Sequence, residues 1–104
     1  MKIKTSELEG AALDYAVAVA TGEVAGGWYS PSTNWSQGGP LVSRRISILV
    51  DVFGDWYAEA SEGMYGRPLE EFDGQGPTAL IAAMRAIVAS EIGDTVDIPE
   101  ELLS

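Results

Sequence analysis

An α+β fold is predicted, with two main helices packed on a small antiparallel sheet and long ordered loops between the elements. Three features predict it. Apolar residues return at helical spacing between positions 8 and 19 and again between 80 and 88. β-branched residues crowd positions 46–53, and clusters of glycine and proline separate these segments. With 104 residues, 46% of them hydrophobic, the chain is expected to form a single domain, 1–104, around one core.

Lys2-Ile3-Lys4-Thr5 alternates polar and apolar, as a short edge strand with outward lysines does. Ser6 and Glu9 match a capping box, so a helix is expected from this point, with Leu8, Ala12, Tyr15, Ala16 and Val19 on one face. Gly22 suits the left-handed position beyond its end. Gly26-Gly27 opens a loop and Gly38-Gly39 closes it. Between them Tyr29-Ser-Pro-Ser-Thr-Asn-Trp-Ser-Gln-Gly-Gly-Pro40 is too rich in turn formers to predict a helix or a central strand. Pro40 is placed as the first residue of a short helical turn through Leu41, Val42 and Arg44.

Residues 46–53 read as a strand, Gly54-Asp55 as a two-residue hairpin turn, and residues 56–60 as the returning strand. In that register Phe53 faces Trp56 with Asp51 on their side, while Ile48, Val50, Val52 and Tyr57 point to the core. A slip of one residue would exchange the two sides. Residues 61–75, with Gly63, Gly66, Pro68 and Gly74 spaced through them, read as a second loop. Gly76-Pro77-Thr78 starts the strongest helix, whose stripe is Leu80, Met84, Ile87 and Val88; Ala79, Ala82, Ala83, Ala86 and Ala89 permit close packing. Gly93 ends it. Residues 96–99 look extended, and Pro99 opens a last acidic turn.

Charge and missing residue types narrow the function. Sixteen acids against six bases give a net charge of −10. Phosphate-driven binding of nucleic acid is therefore not expected, since clustered Lys and Arg supply most of its affinity. There is no cysteine, which removes disulfides and thiolate metal sites, and no histidine, which removes the usual general base near neutral pH. No enzyme, cofactor or metal is expected. Asp51, Asp55, Glu59 and Glu62 offer carboxylates, but without the lysine or histidine that two-metal chemistry would be expected to bring. No apolar run is long enough to span a bilayer and no secretory leader is evident, so a cytoplasmic location is expected and no membrane partner.

The residues that point to binding are aromatic and cationic. Tyr29 and Trp35 are costly to leave in water in a merely connecting loop, and they could stack on a flat ring. Four arginines stand out in so acidic a chain: Arg44 and Arg45 after the Gly-Gly-Pro turn, Arg67 in the second loop, and Arg85 at the edge of the last helix's stripe. Guanidinium forks suit phosphate. Ser30, Thr33, Asn34 and Gln37 supply donors and acceptors nearby, although Asn34 and Ser36 are equally suited to fixing the turn itself. The candidate ligand-binding set is thus Tyr29, Ser30, Thr33, Asn34, Trp35, Gln37, Arg44, Arg45 and Arg85. After Arg85 there is no base, while Glu91, Asp94, Asp97, Glu100 and Glu101 follow. That acidic end is either a solubilising surface or a face for a basic partner, including one that mimics nucleic acid.

Three segments together resemble a known family. They are Met1-Lys-Ile-Lys-Thr-Ser-Glu-Leu8 with Gly10, Ala12 and Leu13; residues 29–41; and Gly76-Pro-Thr-Ala-Leu-Ile-Ala-Ala-Met-Arg85, running on through residues 88–90 to Gly93, Val96 and Pro99-Glu-Glu-Leu102. The chain resembles the NinX-type proteins of lambdoid bacteriophages and prophages. The likeness is weakest over residues 47–72, and at Glu91 the family pattern is more often basic. The resemblance implies a small, cytoplasmic, phage-encoded accessory protein from a dispensable genome region, and it transfers no catalytic residue. Accessory proteins of this size often counter host defences. The expected function is therefore a homo-oligomeric, non-enzymatic binder that sequesters a nucleotide-derived host immune signal. The alternative is an acidic inhibitor of a basic host protein. The Ala-rich last helix and the exposed aromatics are the residues expected to carry self-association.

Overall fold

The computed structural model describes residues 1–23, 28–61 and 71–103. The architecture is α+β, as expected, but with three α-helices and two antiparallel sheets among the described residues. β1 (Lys2–Lys4) pairs with β5 (Thr95–Asp97). A second sheet has the order β2 (Ile46–Val52), β3 (Asp55–Ser61), β4 (Glu71–Gly76). The helices are α1 (Gly10–Thr21), α2 (Trp35–Arg45) and α3 (Ala79–Glu91).

α3 is the hub. The Thr78 hydroxyl caps it by accepting from the Ile81 amide at 3.1 Å, as the Gly-Pro-Thr start leads one to expect. Leu80, Ala82, Ala83, Met84, Ala86, Ile87 and Val88 are all buried, so the helix is covered on most of its circumference. The alanines expected to seat a second copy are spent inside the chain: β4 lies across Ala82 and Ala86. Leu8, Leu13 and Val17 complete the core from the α1 side.

α1 ends on Gly22 in the left-handed conformation (φ 77°), as anticipated, but it does not start on a capping box. Residues Thr5–Glu7 make a 3-10 turn, and Glu9 caps the helix with no side-chain bond. The reason is tertiary. The Thr5 amide donates to Asp94 O at 2.8 Å and its hydroxyl donates to Gly93 O at 2.6 Å. These bonds hold the Ser6 region against the end of α3 and delay the helix by a turn.

Three further expectations are corrected. Residues 35–40, read as loop, are the first half of α2, so Pro40 sits within a helix instead of opening one. Residues 71–75, also read as loop, and Gly76, read as the start of the last helix, form β4. The hairpin turn is Phe53-Gly54 instead of Gly54-Asp55: Val52 pairs with Asp55, Asp51 with Trp56, and Val50 with Tyr57. Phe53 and Gly54 both have positive φ (53° and 93°), as a two-residue hairpin turn of the primed type requires. The Asp51 carboxylate accepts from the Gly54 amide and braces it.

The core side of the sheet is consequently the opposite one. Ala58, Ala60, Gly74 and Gly76 are buried, with Leu49 and Trp56 packed beside them, while Ile48, Val50 and Val52 face solvent. Small residues decide the choice. A Cβ on Gly74 would run into the Ala82 carbonyl and the Ala86 amide, and one on Gly76 would lie 2.7 Å from the Ile81 side chain. Only the glycine-alanine face lets α3 approach this closely. Gly26, Gly27, Gly63, Gly66, Arg67, Pro68 and Glu62 lie outside the described residues.

Candidate functional site

The sequence-predicted residues fall into two regions. Residues 28–34 precede α2 and are tied down by its first turn. Asn34 is the N-cap, its side-chain oxygen accepting from the Ser36 amide at 2.9 Å and from the Ser36 hydroxyl at 2.6 Å. Gln37 reaches back with both ends of its amide: Oε1 accepts from the Ser30 amide, and Nε2 donates to Trp28 O at 2.8 Å. On the other side the buried Asp14 carboxylate accepts from the Ser32 amide at 2.9 Å. Gly38 completes the arrangement, because a Cβ there would strike the Pro31 carbonyl and the Leu80 side chain.

This segment is therefore an ordered buttress. Asn34 and Gln37 spend their polar groups on the backbone, and Ser30 is bonded through its amide. Tyr29 is half-buried, Thr33 is exposed, and Trp35 is exposed on the outer side of α2. Substituting Asn34 by alanine should cost about 1 kcal/mol of stability, the usual price of an N-cap, in chemical denaturation. Trp35→Ala, at 54% exposure, should leave the midpoint nearly unchanged.

The arginines divide. Arg44 is exposed, its Nε donating to Pro40 O within the helix at 3.4 Å. Arg45 forms an ion pair with Glu91 across the α2–α3 seam, which gives Glu91 an intrachain partner. Arg85 lies elsewhere, so the structure does not bring it together with Tyr29, Ser30, Thr33, Asn34, Trp35 or Gln37. Its Nε donates to Leu8 O at 2.8 Å and its Nη1 donates to Gln75 O at 2.7 Å.

Arg85 forms part of the floor of a groove of about 720 Å³ between β4, the end of α3 and the β1–β5 ribbon. Lys4, Ser6, Asp55, Asp73 and Asp94 stand around it, with backbone from Gly74 to Pro77 along one wall. Burial pulls the guanidinium's pKa below its ordinary value while the Glu9 charge works the other way. An arginine remains protonated all the same. Its two backbone bonds fix the plane of the fork, so a planar cation is held ready toward the groove with hydrogen-bond acceptors at hand. Among the described residues no group of three or more acidic side chains could hold a metal ion.

Lys4, Asp73 and Asp94 were not identified as site residues from sequence. Lys4 read as an edge-strand lysine, Asp94 as part of the acidic tail, and Asp73 fell in a segment taken for loop. The signal that would have joined them is the pairing of β1 with β5, which residue patterns do not reveal. A smaller hollow, of about 220 Å³, lies by Met1, Tyr15, Asp97 and Pro99 and contains none of the candidate residues.

A family model described as Bacteriophage P22, NinX matches residues 25–91. That span takes in the buttress before α2, α2 itself, the three-stranded sheet and all of α3, including Arg85. None of the curated proteins compared with the chain matches it. No helix among the described residues is long and apolar enough to cross a membrane.

Proposed function

We propose that this chain, which belongs to the bacteriophage P22 NinX family, is a non-enzymatic accessory protein that binds a nucleotide-derived small molecule in the Arg85 groove. Sequestration of such a molecule would counter a host defence that signals through it. The observation that carries the reading is a guanidinium held in place by two backbone carbonyls beside a groove of about 720 Å³. That volume lies in the range of small-molecule pockets, and an oriented fork is the group that recognises phosphate by geometry as well as charge. Lys4 offers a second cation to a diphosphate. Asp73 or Asp94 offers an acceptor to ribose hydroxyls. The carboxylates also set a limit: a bare polyanion would meet three of them, so a phosphate ester rich in hydroxyl donors fits better than inorganic phosphate.

The reading thus moves the site from the Tyr29–Arg45 region expected from sequence to the other side of the fold, keeping Arg85. The alternative, an acidic face that blocks a basic host protein, has less to draw on. The Asp97 carboxylate is already engaged by the Met1 ammonium at 2.9 Å, which holds its pKa below the usual range.

Isothermal titration with cyclic dinucleotides and with ADP-ribose-type nucleotides tests the proposal. One of them should bind, and Lys4→Ala, on an exposed strand residue, should weaken it about tenfold, as expected for a lost charge-assisted contact. Arg85→Lys should weaken it further while circular dichroism reports an intact fold. Absence of heat with every nucleotide overturns it.

A further inference from the structure

We propose that the free edge of β2 pairs antiparallel with β2 of a second copy, joining two three-stranded sheets into one of six strands. The two edges of the sheet differ. At β4 the outward Gln75 carbonyl is occupied by Arg85, and α3 lies close behind. At β2 no strand among the described residues covers the outer side, and the strand has none of the lysines or prolines that blunt natural edges. Its only charge is Asp51, which points to the other face and is engaged with the Gly54 amide.

The side chains on the solvent face add to this. Ile48, Val50 and Val52 are 42%, 43% and 49% exposed, and Phe53, next in the chain after Val52, is exposed completely. Phe53 also holds a left-handed backbone (φ 53°), where a bulky residue is an outlier and asparagine or glycine would be ordinary. Strain on an exposed aromatic brings the isolated chain nothing.

The occupant follows from register and charge. In an antiparallel pair centred on Val50, position 48 meets 52 of the other copy and 50 meets 50. Alternate residues keep to one face, so all six β-branched side chains form one continuous stripe. The edge is thus complementary to itself. Two chains of net charge −10 repel over most of their surfaces, and this charge-poor strip is where they can meet. The same charge disfavours nucleic acid or an anionic bilayer as the occupant. The four side chains and the strand edge on both copies amount to on the order of 1,000 Å², at the low end for specific interfaces, so the dimer is reversible.

Sedimentation equilibrium from about 1 to about 300 μM is the test, and a mass rising toward twice that of the chain is expected over this range. Val50→Lys should hold the mass at that of one chain. Phe53→Asn, which suits the turn and so does not endanger the fold, should weaken the dimer at least several-fold. Amide exchange over residues 48–52 should slow as wild-type concentration rises. A single-chain mass throughout overturns the proposal. So does a dimer that survives both substitutions, because another face would then hold it. If Val50→Lys unfolds, Phe53→Asn decides alone.

Discussion

Gly74→Ala should lower the melting temperature by about 15 °C, from one added methyl group. The glycine lies where β4 crosses α3, and its missing Cβ position is filled by the Ala82 carbonyl and the Ala86 amide and Cα. These are backbone atoms in the middle of a helix, so no rotamer change can make room. Either the strand lifts from the helix or the helix bends, and both open the core at Met84 and Ile87, which are fully buried. An overpacking cost of about 3 kcal/mol is expected, a large fraction of the stability of a domain this size. Differential scanning calorimetry of the wild type and variant measures it. Gly54→Ala meets nothing within 4 Å but has a φ of +93°, so it separates backbone strain from collision. An undisturbed Gly74→Ala would mean that β4 does not pack on α3 as described.

Ala58→Glu should be at least as damaging, by about 4 kcal/mol, and it tests the strand register. Ala58 is 0% exposed, between Leu49 and Gly74 on the α3 side of the sheet. A carboxylate there has no water, and it must either protonate or unfold its surroundings. Val52→Lys, on the solvent face opposite Asp55, should stay within about 0.5 kcal/mol of wild type. Under the register predicted from sequence, Val52 would belong to the core and Val52→Lys would be the damaging change. Urea denaturation of the two variants at low concentration, where dimerisation does not contribute, distinguishes the registers.

These glycines also explain how far the fold can be read from sequence. α3 was legible because its stripe, its Thr78 cap and its alanines agree with one another. α1 was legible through its apolar period, and β1 and β2 through alternation and β-branching. The errors share a physical cause. Gly38, Gly74 and Gly76 lower local helix or strand propensity; Gly38 and Gly74 were read as loop punctuation and Gly76 as the start of the last helix. In the structure they are spacers that let α2 and β4 come close to Pro31 and α3. A residue present for a distant contact looks like a break when only its neighbours are considered. Phe53 misled differently: a bulky residue was not expected at a positive φ, so the turn was placed one position late and the sheet was turned over.

The candidate site was legible in part for the same reason. Arg85 was singled out as an arginine at the edge of a helix stripe in an acidic chain. Its companions come from β1, β4 and the start of β5, and their proximity depends on strand pairings that no residue pattern encodes. The aromatic segment was read as a loop whose rings need shelter, but its second half belongs to α2, and Trp28 and Trp35 stay exposed. Its polar residues are used internally: Asn34 bonds to Ser36, the turn-fixing role that the sequence also offered, while Gln37, assigned to a ligand, bonds to the backbone.

The pairing of β1 with β5 has a consequence for synthesis. Lys2 aligns with Asp97, and Thr5 is bonded to Gly93 and Asp94. A chain leaving the ribosome holds its first strand unpaired until position 97 has emerged, and contacts of such long sequence separation are slow to close. The groove beside Arg85, walled by that ribbon, is accordingly among the last features to take shape. A chain that stopped before position 94 would retain Arg85 yet lack the Asp94 and Thr95 wall of the groove.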